Sequence, residues 1–219
     1  MVAVHDVTSG YLLFMSSTTC RKPFDVAFGN FGSEIVIVGI KYVLFFTFIA
    51  NHAATRHASA SFGRIGRLGT IQSYLSCAYL PNATCVVGTA DGHLYVFEGS
   101  SRELAKSIKA HDGFIYSMDA PWHRAEQVRA IVLVTGARDG DVKLWNGALE
   151  IISKFDNRGA GPIRSVFTSA DSSRILVGSQ AAAQLREFRT SDGVPTSVAL
   201  AGGGAAAGEL WGLAPHPVE

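Results

Sequence analysis

The chain of 219 residues has little of what marks a secreted, membrane-spanning or nucleic-acid-binding protein. Its three cysteines, Cys20, Cys77 and Cys85, are an odd number without metal-ligand spacing. Cys77 and Cys85 sit among apolar residues, where a thiol serves as a small hydrophobe, so the composition argues against a disulfide framework and for a reducing, intracellular compartment. Met1 to Asp6 offers neither a basic nor an apolar leader segment, which excludes a secretory signal and leaves the sequon Asn82-Ala83-Thr84 idle. Charge of one sign is also missing. Nineteen Lys and Arg against eighteen Asp and Glu leave a formal charge of +1, so no global field draws the chain to nucleic acid or to an anionic membrane. No apolar run reaches the ~20 residues of a membrane span. The longest, Ile35 to Ala50, is interrupted by Lys41 and reads as two buried strands around Gly39 to Lys41.

What is present is a core-forming composition, 47% hydrophobic with only 17% charged, which excludes wholesale disorder. The 23 glycines separate short runs of β-branched and aromatic residues, the texture of many short strands. Two runs share one pattern: Gly88-Thr89-Ala90-Asp91-Gly92-His93-Leu94-Tyr95-Val96-Phe97 and Gly136-Ala137-Arg138-Asp139-Gly140-Asp141-Val142-Lys143-Leu144-Trp145. Each is an Asp-Gly turn followed by a strand that ends in an aromatic, and Asp91 and Asp139 lie 48 residues apart. Asp-Gly between apolar runs favours a tight hairpin because both turn positions tolerate positive φ. Weaker copies without Asp-Gly lead from Glu34–Gly39 to Val43–Phe46 and from Ser173–Gly178 to Leu185–Phe188, and each of the four is preceded by another strand. Three strands plus an outer fourth, recurring every forty to fifty residues, are the units of a β-propeller.

The third unit carries the most specific signal. Ala110-His111-Asp112-Gly113 precedes a strand, and Thr135, Asp139 and Trp145 follow at the spacing of WD-type blades. Histidine can bridge a turn carboxylate and a strand hydroxyl, and that hydroxyl can also engage an indole N–H, so His111, Thr135, Asp139 and Trp145 are expected to form a structural hydrogen-bond tetrad. As a general base His111 would need a Ser or Cys partner, and none is recognisable in a matching loop. The reading is non-enzymatic, with no cofactor and no metal.

The order of segments resembles the echinoderm microtubule-associated protein-like (EMAP-like) WD-repeat family. The resemblance rests on Val4-His5-Asp6 with Ser9-Gly10, Ile37 to Phe46, Gly63-Arg64-Ile65-Gly66-Arg67-Leu68-Gly69, Val87 to Gly92, Lys109 to Gly113, Gly161 to Val166 and, most tellingly, Gly208-Glu209-Leu210-Trp211-Gly212-Leu213-Ala214-Pro215-His216-Pro217. It implies an all-β, WD40-type β-propeller, of which this chain holds about four blades of an incomplete propeller, as a fragment or truncated product of a longer two-propeller protein. It also implies tubulin or microtubules as the partner, other proteins besides, and a cytoplasmic, cytoskeletal or ciliary location. The alternative is a general WD-repeat scaffold in a signalling or ciliary complex without direct tubulin contact.

On this reading residues 1–20 end a preceding blade, 21–50 form a blade, 51–70 an inter-blade linker, 71–110 a blade, 111–158 the blade with the tetrad and 159–200 another. Residues 201–208 are a flexible Gly/Ala loop and 209–219 begin a next blade, with Trp211 in its core. Loops on a rigid scaffold carry binding, so candidate contacts are Arg64, Arg67, Asp91 and Asp139. The glycine run around Arg64 and Arg67 lacks the Gly-Lys-Ser/Thr ending of a phosphate cradle, and His52 and His57, five apart with no third ligand, read as an exposed inter-blade loop rather than a metal site.

Overall fold

A computed structural model describes residues 2–16, 22–29, 32–49, 57–99, 101–121, 131–156, 161–169, 171–180 and 184–201. Every regular element among them is a strand, and the strands form four antiparallel four-stranded sheets preceded by a hairpin. The hairpin is β1 (Val2–His5) with β2 (Leu12–Ser16). The first sheet holds β3 (Pro23–Phe28), β4 (Glu34–Gly39), β5 (Tyr42–Ile49) and β6 (His57–Phe62). The second holds β7 (Tyr74–Tyr79), β8 (Cys85–Thr89), β9 (His93–Phe97) and β10 (Leu104–Lys109). The third holds β11 (Ile115–Asp119), β12 (Leu133–Ala137), β13 (Asp141–Trp145) and β14 (Ile151–Asp156). The fourth holds β15 (Ile163–Thr168), β16 (Arg174–Ser179), β17 (Gln184–Arg189) and β18 (Pro195–Ala201). Each sheet is a simple up-and-down meander. Its first strand touches the first strand of the next sheet, β3 on β7, β7 on β11 and β11 on β15, so the sheets stand side by side like the blades of a β-propeller. Closure into a ring is not seen among the described residues.

Burial explains why the second strands read as continuous apolar runs. β8 and β12 are buried at every residue and β4 at every residue but its first, because β8 and β12 are covered on both faces by neighbouring sheets and β4 lies between the hairpin and the second sheet. The last strands lie at the rim, and β10 and β14 expose much of their length. This exposure corrects one boundary. Residues 51–70 are expected from sequence to be linker, yet His57–Phe62 pairs along β5 as the outer strand of the first sheet. An outer strand needs little apolar surface, and Ala58-Ser59-Ala60-Ser61 supplies little, so in sequence it is indistinguishable from a loop. His57 thus opens β6, while His52 lies outside the described residues. The last strand ends at Ala201; the rest of the Gly/Ala segment and residues 209–219, including Trp211, lie outside the described residues. No helix among the described residues is long and apolar enough to cross a membrane.

Polar bonds between first strands recur at one register. The Asp25 carboxylate accepts from the Cys77 amide at 2.9 Å, Ser76 Oγ donates to the Ile115 carbonyl at 2.9 Å, and Ser117 Oγ accepts from the Val166 amide at 3.1 Å. Ser165 holds the matching place in β15, just past the same register shift, where its hydroxyl is buried without a hydrogen-bond partner. Removing a half-buried hydroxyl that accepts a strand amide costs about 1 kcal/mol, whereas removing a buried orphaned one costs little or stabilises. Ser117→Ala is therefore expected to lower the urea midpoint measurably and Ser165→Ala to leave it unchanged or raise it.

Candidate functional site

The Asp-Gly turns lie at one end of the sheets. Gly92 and Gly140 adopt φ of 85° and 83°, and a Cβ on Gly92 would stand 2.0 Å from the His111 carbonyl oxygen, so the second turn admits only glycine. The close approach has a purpose: the amides of Ala110 and His111 both donate to the Gly92 carbonyl at 2.9 Å. The backbone of His111 is thereby fastened to the second sheet's turn while its side chain reaches into the third sheet.

That side chain, fully buried, meets Asp139 and Thr135 of the expected tetrad, and Trp145 joins through Thr135. His111 Nδ1 lies 3.0 Å from Asp139 Oδ2, His111 Nε2 lies 2.8 Å from Thr135 Oγ1, and the Trp145 indole N–H donates to Thr135 Oγ1 at 3.0 Å. A neutral imidazole protonated at Nδ1 satisfies the chain: it donates to Asp139, accepts the Thr135 hydroxyl proton at Nε2, and leaves Thr135 Oγ1 free to accept from Trp145. Asp139 also accepts from the amides of Asp112 at 2.9 Å and Asp141 at 3.1 Å. Burial pushes the Asp139 carboxyl up, but the bonds from His111 and the two amides outweigh it and hold the group well below the ordinary carboxylate range. The sign of the pH dependence follows. A depressed carboxylate contributes stability that is complete above its unfolded value of about 3.9 and is lost as pH falls towards its folded value. Asp139→Asn is expected to flatten the acid limb of stability against pH below ~4, read by urea titration at pH 3 to 7.

His111, Asp139 and Asp141 bring ligand-type atoms within 4.8 Å of one another, an arrangement that on proximity alone would suggest a cation site. Each group already has a partner here: His111 and Asp139 bond each other, and the Asp141 carboxylate pairs with Lys154 at 2.7 Å. The cluster is a structural latch.

The four candidate contact residues do not come together. Asp91 and Asp139 lie at the turn end and both are engaged, Asp91 by its own turn and Gln72, Asp139 by its own turn and by His111 and Asp112 of the preceding connection. Asp91 accepts from Thr89 Oγ1 at 2.6 Å and lies 3.0 Å from His93 Nδ1; despite partial burial, these bonds and that from Gln72 lower its pKa to about 2. Asp139 is a tetrad member before it is a surface group. Arg64 lies towards the opposite end, where its guanidinium pairs with Glu103 at 2.9 Å and donates to the Ser101 carbonyl at 3.1 Å. Its backbone bridges to Glu103, so the glycine run Gly63–Gly69 straps the second sheet rather than opening a helix. Arg67 is exposed.

Two further features went unnoticed in sequence. Between the first and second sheets, a cleft of about 310 Å³ holds the ion pair of Arg102 with Glu34, both side chains mostly buried at 13% and 15% exposure. Tyr79 donates to Glu34 Oε1 at 2.5 Å, Arg102 donates to Thr47 Oγ1 at 2.9 Å, and its guanidinium lies 4.6 Å from the Phe45 ring centre. At the turn end, the Arg138 guanidinium lies over Phe114 at 5.3 Å and that of Arg164 over Tyr116 at 3.9 Å, while the two rings meet edge to face at 5.7 Å. Neither cluster has a sequence signature, since its members come from separate strands and turns.

Residues 102–146 match the WD domain, G-beta repeat family. The matched stretch runs from the turn before β10, through β11 and β12, to the end of β13, and contains the whole tetrad. It thus takes the outer strand of one sheet with the first three of the next, a staggering that the double fastening of His111 also expresses. The chain carries a WD40 repeat.

Proposed function

We propose that the chain is a non-enzymatic protein-interaction module of a microtubule-associated, EMAP-like WD-repeat protein, and that its partner is tubulin or the assembled microtubule. The observation that carries the interaction reading is the latched blade: a WD40 repeat whose buried polar residues are engaged with one another in holding sheets and turns in place. WD40 repeats typically mediate contacts between proteins. Tubulin as the partner, and a cytoplasmic, cytoskeletal place of action, rest on the collinear resemblance of the segments from Val4 to Pro217 to the EMAP-like family. Rigid sheets fix the surface loops, and loops so fixed bind without a large ordering cost.

Arg64 and Arg67 remain available to an acidic partner on this account. The pair of Arg64 with Glu103 is exposed on both sides, 65% and 61%, and such surface pairs contribute only about 0–1 kcal/mol, so a partner carboxylate can replace Glu103. Gel filtration of the full chain with soluble tubulin, beside co-sedimentation with microtubules, is expected to show binding that weakens from low to moderate salt. Arg64→Ala with Arg67→Ala should reduce it several-fold at low salt. Unchanged affinity removes this cluster from the interface, and no binding by the folded chain leaves the general WD-repeat scaffold as the better account.

A further inference from the structure

One face of the first sheet is open where the sheets after it are covered. The four first strands share one register, with Asp25, Ser76, Ser117 and Ser165 each standing just past the same slip. Val26 and Phe28 therefore hold the places that Cys77 and Tyr79 take in the second sheet and Val166 and Thr168 in the fourth. Those four counterparts are buried. Cys77 and Tyr79 cluster with Val36 and Val38 of β4, and Val166 clusters with Val134 of β12, so the second strand of the preceding sheet covers each place with branched residues. Val26 and Phe28 are instead 56% and 55% exposed.

The β1–β2 hairpin leaves this face open. Its Val2, Val4 and Phe14 pack on the cluster of Ile35, Ile37, Leu44 and Phe46, so it covers β4 and β5. A groove of about 440 Å³ remains between β1 and β3, lined by Val2, Val4, Phe24, Val26, Phe28 and Ile37 among others. Among the described residues β1 pairs with β2 alone, so its other edge is open. An open edge beside an apolar face meets both requirements of strand addition, backbone partners and room for alternate side chains. The charged residue of the lining, Asp25, has its carboxylate engaged by the amides of Val26 and Cys77 at 2.8 and 2.9 Å, so the groove suits an uncharged segment. The space is too narrow for a sheet of a second copy. The hairpin already stands over β4 and β5, and every described strand of the chain is built into a sheet of its own.

We propose that the groove between β1 and β3 binds an extended apolar segment of a partner protein, added as a strand along the open edge of β1, with branched side chains at alternate positions set against Val26 and Phe28. The chain's own sheets show the fit, since Val36 and Val38, two apart on one strand, serve Cys77 and Tyr79 in this way. The surface goes beyond the tubulin reading: it lies on the side of the first sheet that faces away from the second, apart from the loops offered to tubulin, and its partner is a further protein.

The test is fluorescence anisotropy of the full chain with a fluorescein-labelled peptide that alternates valine and threonine between terminal lysines, beside the same peptide fully N-methylated. Saturable binding of the first is expected. N-methylation removes the donors of a strand ladder and should weaken it at least tenfold, and Val26→Lys, which sets an ammonium against the apolar segment, about tenfold. Because Val26 is exposed, Val26→Lys should leave the unfolding midpoint unchanged. Ile152→Lys, at an exposed apolar residue of the outer strand β14, should bind the peptide as the parent does. No saturable binding, equal binding of the N-methylated peptide, or equal loss in Ile152→Lys overturns the proposal. A lowered midpoint in Val26→Lys without peptide binding would assign the groove to the chain's own polypeptide, and a dimer that Val26→Lys dissolves in gel filtration would assign it to a second copy; either result overturns the partner.

Discussion

Trp145→Ala is expected to lower unfolding stability by about 3–5 kcal/mol in a urea titration. The indole is 1% exposed and packs with Leu80, Ala110, Leu133 and Leu149, a cluster drawn from the second and third sheets, so its removal leaves a cavity across their boundary. It also takes away the N–H that Thr135 Oγ1 accepts. The second sheet suggests the control. Its ladder pairs Cys85 with Phe97 where the third pairs Leu133 with Trp145, which sets Val87 opposite Thr135 and Phe97 opposite Trp145 in the repeat. Trp145→Phe with Thr135→Val imitates that apolar arrangement. The double variant should cost less than the sum of the two singles, with a coupling of about 1 kcal/mol, because Thr135 and Trp145 share one hydrogen bond. Strict additivity would mean that the bond contributes nothing.

Arg102→Ala is expected to cost about as much, 3–5 kcal/mol, for a different reason. It strands the Glu34 carboxylate in a mostly buried cleft and removes a cation from the face of Phe45, which itself packs edge to face on Phe97 across the two sheets. Glu34→Gln in the Arg102→Ala background should recover part of the loss, since a neutral amide in that cleft no longer carries an uncompensated charge. If Arg102→Ala alone unfolds no earlier than the parent chain, the pair is not a clasp between the first two sheets. Burial of Tyr79, hydrogen-bonded to the same carboxylate, raises its hydroxyl pKa far above the ordinary tyrosine value.

The two clusters also show what sequence could and could not reveal. The tetrad was legible because its members fall in one repeat at a recognisable spacing and each is a residue type that would be costly to bury unpaired. Asp-Gly marked the second and third hairpins, but the first uses Lys41 at φ 64°, a lysine in the left-handed region that no turn pattern announces. The outer strand His57–Phe62 escaped notice because exposure leaves no hydrophobic period to find. Arg102 with Glu34 and Arg164 with Tyr116 are tertiary pairings, 68 and 48 positions apart, and nothing in their local sequences distinguishes them from solvated surface residues. The same distance separates Asp139 as an imagined contact from Asp139 as found: a turn aspartate reads as exposed until the histidine that consumes it is seen to come from the previous connection.

The central claim is that rigid blades present fixed loops to a protein partner. Hydrogen exchange read by mass spectrometry, on the full chain with and without excess tubulin, tests it most directly. The account predicts that β8, β12 and β16 exchange slowly in both states and that added tubulin slows exchange only in loops at one end of the sheets. Fast exchange in those strands without tubulin, or slowing spread evenly over both ends, would contradict it.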